Sequence, residues 1–319
     1  PAEVGHDDRL VMTLQLFPGQ DPSELDLSSL RLAFNGAEPI DARMLQRFEE
    51  RFAAAKYRPE AMFPVYGLAE ATLAVSFPPC DAAPTIQWFD GRRLANEGIA
   101  EPVAPDNPSA SPVVGVGHPV PEVEVRIASR KTAPQSDDQL PSGHVGRVEI
   151  RGPSVTIGYL SDPEATAASM RDGWFDTGDL GFFHDGELFI TGREKEMIIV
   201  RGENFYPQDV EALAKGVEGV YRGRAVAFAA TNPERIVVVA ETILEDIEPH
   251  RALARAIAQT IARGLGLAQV EVHVVKKGEM KRTTSGKWQR IRMRTMVEQE
   301  AFSGILASHS PVSAGASTP

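Results

Sequence analysis

The sequence predicts an α/β protein in two parts: a larger part that ends in a small β-barrel, and a compact α/β unit after it. The chain has 319 residues, more than one ordinary core holds together. Glu122–Ile127 and Val145–Arg151 alternate apolar and polar residues, as half-buried strands do. After Tyr206, helical and strand patterns alternate. We therefore expect domains at 1–192 and 193–300, followed by a low-complexity tail at 301–319 that is predicted to be disordered.

Within the larger part, two short apolar runs each end in a loop rich in small and polar residues. Leu30–Asn35 is predicted to be a buried strand that runs into Gly36-Ala37-Glu38-Pro39. Asp41 is expected to cap a helix that continues to about Ala55. Met62–Val65 is a second predicted strand, and Tyr66-Gly67-Leu68-Ala69-Glu70 follows it. Farther along, Asp162 is expected to cap a short helix to Met170.

Residues 77–112 differ in composition from the sequence around them. Seven prolines punctuate this segment, and the only strand pattern inside it is Thr85–Phe89. Such a segment is a variable surface loop or an insertion with a function, because long loops in compact domains are usually functional or mobile.

The second part follows the pattern of a small sheet covered by helices. Its predicted helices and strands are, in order, helix Tyr206–Lys215, strand Ala225–Ala229, a turn at Asn232-Pro233, strand Ile236–Glu241, helix Pro249–Arg263 and strand Gln269–Val275. A unit of roughly 100 residues is large enough to fold alone.

Composition excludes several classes of function. No apolar run is long enough to cross a membrane, and the net charge of −11 argues against nonspecific binding of nucleic acid. The seven histidines lie far apart, so no zinc site is predicted. The single cysteine, Cys80, has no internal partner for a disulfide, which makes a cytoplasmic protein the expectation.

The stretch from Asp172 to Pro207 carries the densest pattern in the chain. It holds a T-G-D turn at Thr177–Asp179, a hairpin signal at Asp185-Gly186 and Gly192-Arg193 after a strand. Asp179 is expected on a turn at a strand end, where its carboxylate can accept hydrogen bonds from a diol such as a ribose. Arg193 offers a planar, permanently charged group for ribose or phosphate oxygens.

These motifs, in this order, resemble the hinge region of the adenylate-forming superfamily: T-G-D, D-G-x-L, then G-R-x-K-x-x-I-x-x-x-G-x-N-x-Y-P. That superfamily contains acyl-CoA synthetases, fatty acyl-AMP ligases, luciferases and the adenylation domains of peptide synthetases. G-A-x-P and Y-G-x-x-E upstream also resemble its motifs. Ala69 stands where most members have Thr or Ser, which is similar to the fatty acyl-AMP ligase branch, and the segment 77–112 lies where that branch carries an insertion. Thr72 is a candidate to supply the missing hydroxyl.

The resemblance implies a role for each matching residue. The implied nucleotide-binding residues are Gly36, Ala37, Glu38, Tyr66, Gly67, Asp179 and Arg193. Glu70 is the implied catalytic ligand of Mg²⁺ on the ATP phosphates, since a carboxylate near phosphate needs a cation between them. Lys195 or Glu196 would be the pivot of a mobile C-terminal domain, where the family usually has Asp.

The last motif is Lys281-Arg282-Thr283-Thr284-Ser285-Gly286-Lys287. It is not a phosphate loop, because Lys281 occupies the place of that motif's first glycine. It resembles the P-x-T-x-S-G-K-x-x-R loop of adenylate-forming enzymes, with Lys281 replacing the Pro. Lys287 is then the implied catalytic lysine that reaches the acyl carboxylate and the α-phosphate.

Three functions follow from the resemblance. The first is activation of a fatty acid with ATP and Mg²⁺ to acyl-AMP and pyrophosphate, followed by transfer to an acyl carrier protein. The second is fatty acyl-CoA synthesis, with CoA as acceptor and the segment 77–112 as decoration. The third is a catalytically incomplete fragment that only binds nucleotide or a carrier protein, since no S-G-T-T-G-x-P-K-G loop appears in the sequence. Residues 276–294 hold eight Lys or Arg against Glu279, which suits an acidic partner.

Overall fold

A computed structural model describes residues 21–130, 139–231, 234–267, 270–283, 287–299 and 304–310. The fold is mixed α/β, as the sequence predicts. The chain divides between Lys195 and Glu196 into two compact units, whereas the sequence predicts a boundary after residue 192. The predictions for Asn232-Pro233, Gln269 and Thr284–Gly286 lie outside the described residues.

The first unit begins with two parallel strands joined by a helix. Strands β1 (Ala33–Asn35) and β2 (Met62–Pro64) pair in parallel, and helix α1 (Ala42–Phe52) connects them. Asp41 caps α1 as predicted, because its carboxylate accepts a hydrogen bond from the backbone N–H of Arg43 at 2.9 Å. The buried face of the helix carries Leu45, Phe48 and Phe52.

The remainder of the first unit is rich in β-structure and occupies the position where the sequence predicts a small β-barrel. Its strands are β3 (Tyr66–Leu68), β4 (Leu73–Phe77), β5 (Ile86–Asp90), β6 (Ala110–Val114), β7 (His118–Pro119), β8 (Glu124–Ala128), β9 (Gly146–Arg151), β10 (Met170–Arg171), β11 (Trp174–His184) and β12 (Glu187–Arg193). Strands β3, β4 and β7 form one sheet; β10, β11, β9 and β8 form another, in which β12 also pairs with β11. Helix α2 (Pro163–Ser169) precedes β10 and is capped by Asp162, as predicted.

The two sheets share one apolar core, to which Val75, Val148 and Ile150 contribute fully buried side chains. Asp185-Gly186 forms the predicted two-residue turn between β11 and β12. Both residues have positive φ, 50° and 82°, as a type I′ turn requires. This turn fixes the register of the hairpin that carries Asp179 and Arg193.

The proline-rich segment, residues 77–112, contains regular secondary structure. Strands β5 and β6 pair in antiparallel fashion across it, and residues Arg93–Glu97 form a helical turn between them. The ring of Phe89 is fully buried and makes an edge contact with Phe182 at 5.0 Å between centroids. The segment is therefore anchored to the hairpin of β11 and β12.

The second unit is a four-stranded sheet covered on both faces. Its sheet order is β15 (Ala225–Thr231), β16 (Glu234–Thr242), β17 (Val270–Lys276) and β18 (Ile305–His309). Helices α3 (Pro207–Lys215) and α4 (Ile247–Leu265) cover one face, and α5 (Arg290–Glu298) covers the other. A separate hairpin, β13 (Ile198–Val200) with β14 (Glu203–Phe205), begins the unit.

Strand β18 corrects the prediction of a disordered tail at 301–319. Ile305–His309 pairs with β17 in antiparallel fashion, and Ala307 is buried. The apolar run of this strand, Ile305 to Ala307, is only three residues long and does not stand out from the small and polar residues that follow it. The rest of the predicted tail, except Gly304 and Ser310, lies outside the described residues. Within the described ranges, no helix has both the length and the apolar character needed to span a membrane.

Candidate functional site

The carboxyl ends of β1 and β2 bring two of the predicted loops together. Because the strands are parallel, both chains leave the sheet at the same edge. The backbone N–H of Val65 donates to the carbonyl of Asn35 at 2.7 Å. A side chain at Gly36 would place its Cβ 2.7 Å from the carbonyl oxygen of Val65, so this approach requires glycine. Ala37 next to it has a positive φ of 72°.

Tyr66, Asp179 and Arg193 form one hydrogen-bonded group. The hydroxyl of the buried Tyr66 donates to Asp179 Oδ2 at 2.7 Å. Arg193 Nε donates to Asp179 Oδ1 at 2.8 Å. Burial and the neighbouring Asp179 carboxylate hold the pKa of Tyr66 well above its usual value. The tyrosine therefore stays a neutral donor, and the aspartate stays paired with a cation.

Asp179 lies inside a long strand, which corrects the prediction that it sits on a turn at a strand end. Strand β11 continues through the T-G-D sequence, but its register with β9 shifts between Asp176 and Leu180. Gly178 adopts a positive φ of 72°, and Thr177 Oγ1 accepts a hydrogen bond from the Asp179 N–H at 3.1 Å. Such a bulge re-aims one side chain without ending the strand. The bulge places Asp179 opposite Arg193 on β12.

Glu70 lies in a short helical turn after β3, and a neighbouring loop contacts it. The hydroxyl of Tyr159 donates to Glu70 Oε1 at 3.0 Å, and the Thr156 N–H donates to the Glu70 carbonyl at 2.7 Å. Burial, together with this hydrogen bond, raises the pKa of Tyr159. Sequence reasoning did not select Tyr159; the signal was an aromatic residue directly after Gly158 in the loop between β9 and α2.

Gly67 and Thr72, in the same part of the chain, each make a close contact with the backbone. Gly67 must be glycine, because a Cβ there would lie 1.6 Å from the carbonyl oxygen of Leu73. The hydroxyl of Thr72 donates to the carbonyl of Ser154 at 2.8 Å. In this structure that bond uses the only proton of the hydroxyl.

The predicted pivot residues lie where the chain passes from one unit to the other. Glu194–Glu196 is a single helical turn, and Lys195 is exposed. Within the first unit, Arg130 Nε donates to Glu194 at 3.3 Å. Within the second unit, Arg290 Nη1 donates to Glu196 Oε2 at 3.0 Å. The two glutamates on either side of Lys195 are thus bound to different units.

Lys287 belongs to the second unit, whereas the predicted nucleotide-binding residues belong to the first. Its loop is closed at the base. The Thr283 N–H donates to the Lys287 carbonyl at 2.8 Å, and the Lys287 N–H donates to Thr283 Oγ1 at 3.0 Å. The guanidinium of Arg282 lies 3.6 Å from the ring centroid of Trp288. These contacts join Thr283 to Lys287, and the side chain of Lys287 is exposed.

Among the described residues, no group of three or more His, Cys, Asp or Glu side chains could hold a metal ion by itself. A single carboxylate, such as Glu70, still fits Mg²⁺, which typically takes one or two protein carboxylates together with phosphate oxygens and water. The hydrogen bond from the Tyr159 hydroxyl fixes the orientation of that carboxylate.

Known proteins similar to this chain are enzymes that form adenylates. Residues 8–160 match the model of the AMP-binding enzyme family. The long-chain-fatty-acid–AMP ligase FadD26 of Mycobacterium tuberculosis is 36% identical over 306 residues, which cover 90% of this chain and 50% of that protein. A 4-hydroxyphenylalkanoate adenylyltransferase of the same organism is 35% identical, covering 85% and 45%.

Solved structures agree with the sequence matches. One, from a study of fatty acyl-adenylate ligases of E. coli and L. pneumophila, has a TM-score of 0.84 and 31% identity, covering 93% of this chain and 52% of that one. Another, from a keto acid-selecting peptide synthetase module, has a TM-score of 0.79 and 27% identity, covering 93% and 25%. The chain spans about half the length of the curated relatives that it matches.

Proposed function

We propose that the whole protein joins a fatty acid to AMP, with ATP as the donor of AMP and pyrophosphate as the second product. The proposal starts from the fact that this chain belongs to the AMP-binding enzyme family. The observation that carries the proposal is the hydrogen-bonded group of Tyr66, Asp179 and Arg193. The fatty-acid–AMP ligases among its relatives support the choice of a fatty acid as the acid.

In this proposal the first unit holds the nucleotide. The loops that contain Gly36–Glu38 and Tyr66-Gly67 leave the parallel strands at the same edge and would enclose the adenine, with the tyrosine ring as an apolar surface. Each oxygen of Asp179 accepts one hydrogen bond from the protein and keeps acceptor capacity for a ribose hydroxyl. Arg193 neutralises the carboxylate, so that it does not repel the phosphates.

Glu70 would hold Mg²⁺, which supplies neutralisation of the phosphate charge when it is bound. Tyr159 acts on the carboxylate directly: its hydroxyl fixes Oε1 at 3.0 Å. The neutral tyrosine keeps its proton, since its pKa is raised. The protein's own contribution here is therefore orientation of one carboxylate.

Lys287 would stabilise the reacting α-phosphate and acyl carboxylate. Charge builds on those oxygens in the transition state, and an ammonium at contact distance is worth about 4 kcal/mol at an effective dielectric constant near 20. The closed base of the loop supports this role, because it limits where the lysine can reach.

We propose an acyl carrier protein as the acceptor of the acyl group. The anchored segment 77–112 favours this choice over CoA, since the burial of Phe89 against Phe182 makes the segment a fixed part of the first unit. A fixed insertion can hinder the rearrangement that attack by CoA needs. Acyl-CoA synthesis is the second candidate, and a fragment that only binds nucleotide or a carrier protein is the third.

The test is mass spectrometry of the products formed by this chain and by the whole protein from Mg-ATP and a medium-chain fatty acid, each with and without CoA. Acyl-AMP that persists in the presence of CoA supports the proposal. Conversion to acyl-CoA moves the protein to the second candidate. Absence of acyl-AMP from the whole protein refutes adenylation. Product from the whole protein alone shows that this chain is incomplete for the reaction.

A further inference from the structure

Two neighbouring strands of the second unit carry three side chains that are hydrogen-bonded in a row: a carboxylate, an imidazole and a hydroxyl. His273 on β17 lies directly opposite Ser308 on β18, and Glu271 lies two residues before His273, on the same face of β17. Glu271 Oε1 lies 2.6 Å from His273 Nε2, and His273 Nδ1 lies 2.8 Å from Ser308 Oγ. The pairing of the two strands therefore sets the geometry of the row.

The carboxylate decides in which direction the protons of the row are donated. Arg235 on β16 donates from Nε to Glu271 Oε2 at 2.5 Å, and the contacts with His273 and Arg235 lower the pKa of Glu271 to about 2. Because an ionised carboxylate only accepts hydrogen bonds, His273 Nε2 is the donor to Glu271. In the neutral imidazole, Nδ1 then has a free lone pair and accepts the proton of the Ser308 hydroxyl.

The three side chains differ in exposure in the way that an activated nucleophile requires. The side chains of Glu271 and His273 are each only 10% exposed, whereas Ser308 is exposed. Among the described residues, no further strand pairs with β18, and an edge strand presents alternate backbone N–H groups to solvent. Backbone N–H groups are donors of the kind that stabilises an oxyanion. A reagent in solution can therefore reach the hydroxyl, while the base behind it is held in place.

We propose that Ser308 is a nucleophile that accepts the acyl group of an activated carboxylic ester, with His273 as its general base. Glu271 is the positioning residue, because it fixes which imidazole nitrogen carries the proton. A hydroxyl, an imidazole and a carboxylate in this order activate serine in enzymes of unrelated folds. The row lies in the second unit and needs no nucleotide, so the proposal does not depend on adenylation.

The step is an acyl transfer that needs no further reagent. Ser308 Oγ attacks the carbonyl carbon of the ester, and its proton passes to His273 Nδ1. The bond from the acyl carbon to the alcohol oxygen then breaks, and the proton passes from His273 to that oxygen. The products are the acyl ester of Ser308 and the free alcohol.

The first test compares two exposed serines, Ser308 and Ser310, which lie two residues apart. The whole chain reacts with a fluorophosphonate without ATP or fatty acid. A serine oxygen displaces fluoride from phosphorus, and the serine proton leaves with it. Peptide mass spectrometry gives the rate at each serine. Ser308 should react at least about 10²-fold faster than Ser310, because a positioned general base contributes about 10²–10⁴-fold. Equal rates at the two serines would overturn the proposal.

Two variants of the buried residues separate the base from the residue that positions it. His273→Asn should reduce the rate at Ser308 to that at Ser310. Glu271→Gln keeps the size of the side chain but removes the charge, and should slow the reaction at Ser308 roughly tenfold or more. An unchanged rate at Ser308 in His273→Asn would remove the imidazole from the mechanism and overturn the proposal.

A second test uses an exposed position, where the substitution removes only a hydroxyl. The parent should release 4-nitrophenol from 4-nitrophenyl acetate faster than Ser308→Ala does, and Ser310→Ala should match the parent. Equal release by the parent and Ser308→Ala would overturn the proposal. Adenylation is followed separately, by exchange of labelled pyrophosphate into ATP in the whole protein. Loss of that exchange would refute the proposed function and leave the reactivity of Ser308 standing.

Discussion

Arg290 binds Glu196, the residue at the start of the second unit, through a hydrogen bond of 3.0 Å from Nη1 to Oε2. The same guanidinium donates through Nε and Nη2 to Glu211, whose side chain is only 3% exposed. Glu196 is therefore attached to the body of the second unit. Of the two pivot candidates, this favours Lys195, whose side chain is exposed, as the residue about which a rotation would occur.

Replacing Arg290 should destabilise the second unit. Arg290→Gln leaves the buried Glu211 carboxylate without its cation, and breaking a buried pair in this way costs about 3–5 kcal/mol. The measurement is the hydrogen exchange of peptides from β15 and β16, which reports the local free energy of opening. The matched control is Arg292→Gln, an exposed position on the same helix. Equal exchange in the two variants would show that Arg290 does not stabilise the unit.

Tyr66→Phe tests whether the Tyr66–Asp179 bond matters for ATP. Loss of the hydroxyl removes a donor to the carboxylate proposed to bind ribose, and a bond to a charged group is worth about 1.5–3 kcal/mol. In the whole protein, we expect KM for ATP to rise roughly tenfold or more, with a smaller change in kcat.

The matched control for that variant is Tyr57→Phe. Tyr57 is also buried in the first unit, and its ring packs against Phe48 at 5.1 Å between centroids. It should leave KM for ATP unchanged. A normal KM in Tyr66→Phe would remove the Tyr66 hydroxyl from nucleotide binding.

The sequence predicted local structure well wherever a single short signal decides it. The cap at Asp41 and the turn at Asp185-Gly186 are both in place, because each depends on one side chain or one positive φ. The sequence also selected Tyr66, Asp179 and Arg193, which the structure joins in one hydrogen-bonded group.

The misses depend on partners distant in sequence. Asp179 was expected on a turn, but a bulge against β9, decided by pairing with another strand, keeps it inside β11. Tyr159 was missed because its hydroxyl meets Glu70 from 89 residues away. Strand β18 was missed because it forms only against β17. The amino-acid composition around each residue does not reveal these contacts.

Acid should weaken the second unit through Glu271. A hydrogen bond with His273 and the Arg235 guanidinium lower the pKa of Glu271 from 4.5 to about 2. Because the folded pKa is lower than the unfolded one, this stability is complete above about pH 5 and is lost as pH falls toward 2. The shift corresponds to roughly 3 kcal/mol.

The measurement for Glu271 is urea denaturation between pH 7 and pH 3, with Glu271→Gln as the variant. The variant should be less stable at pH 7 and should lose less stability on acidification. Glu248→Gln, at an exposed position of α4, should keep the parental pH dependence. Parallel curves for parent and Glu271→Gln would refute the assignment.

Phe89→Ala should loosen the segment 77–112 from the hairpin of β11 and β12. The variant leaves a cavity beside Phe182 and Phe189, which costs about 3–5 kcal/mol. Hydrogen exchange in β5 and β6 should accelerate, and in the whole protein acyl-CoA should form if the segment hinders CoA. Gln87→Ala, on the same strand, is the control. Faster hydrogen exchange without formation of acyl-CoA would show that Phe89 anchors the segment but that the segment does not hinder attack by CoA.

Lys287→Ala should slow formation of acyl-AMP in the whole protein by at least about 10²-fold, because removal of a preorganised electrostatic stabiliser typically has this effect. The rate is best followed by exchange of labelled pyrophosphate into ATP, which reports adenylation without an acceptor. Lys215→Ala, a lysine of the same unit at the end of α3, should exchange at the parental rate. The Thr283–Lys287 backbone bonds do not involve the lysine side chain, so the loop should persist in the variant. Exchange at an unchanged rate would remove Lys287 from the mechanism and leave the exposed lysine without a catalytic role.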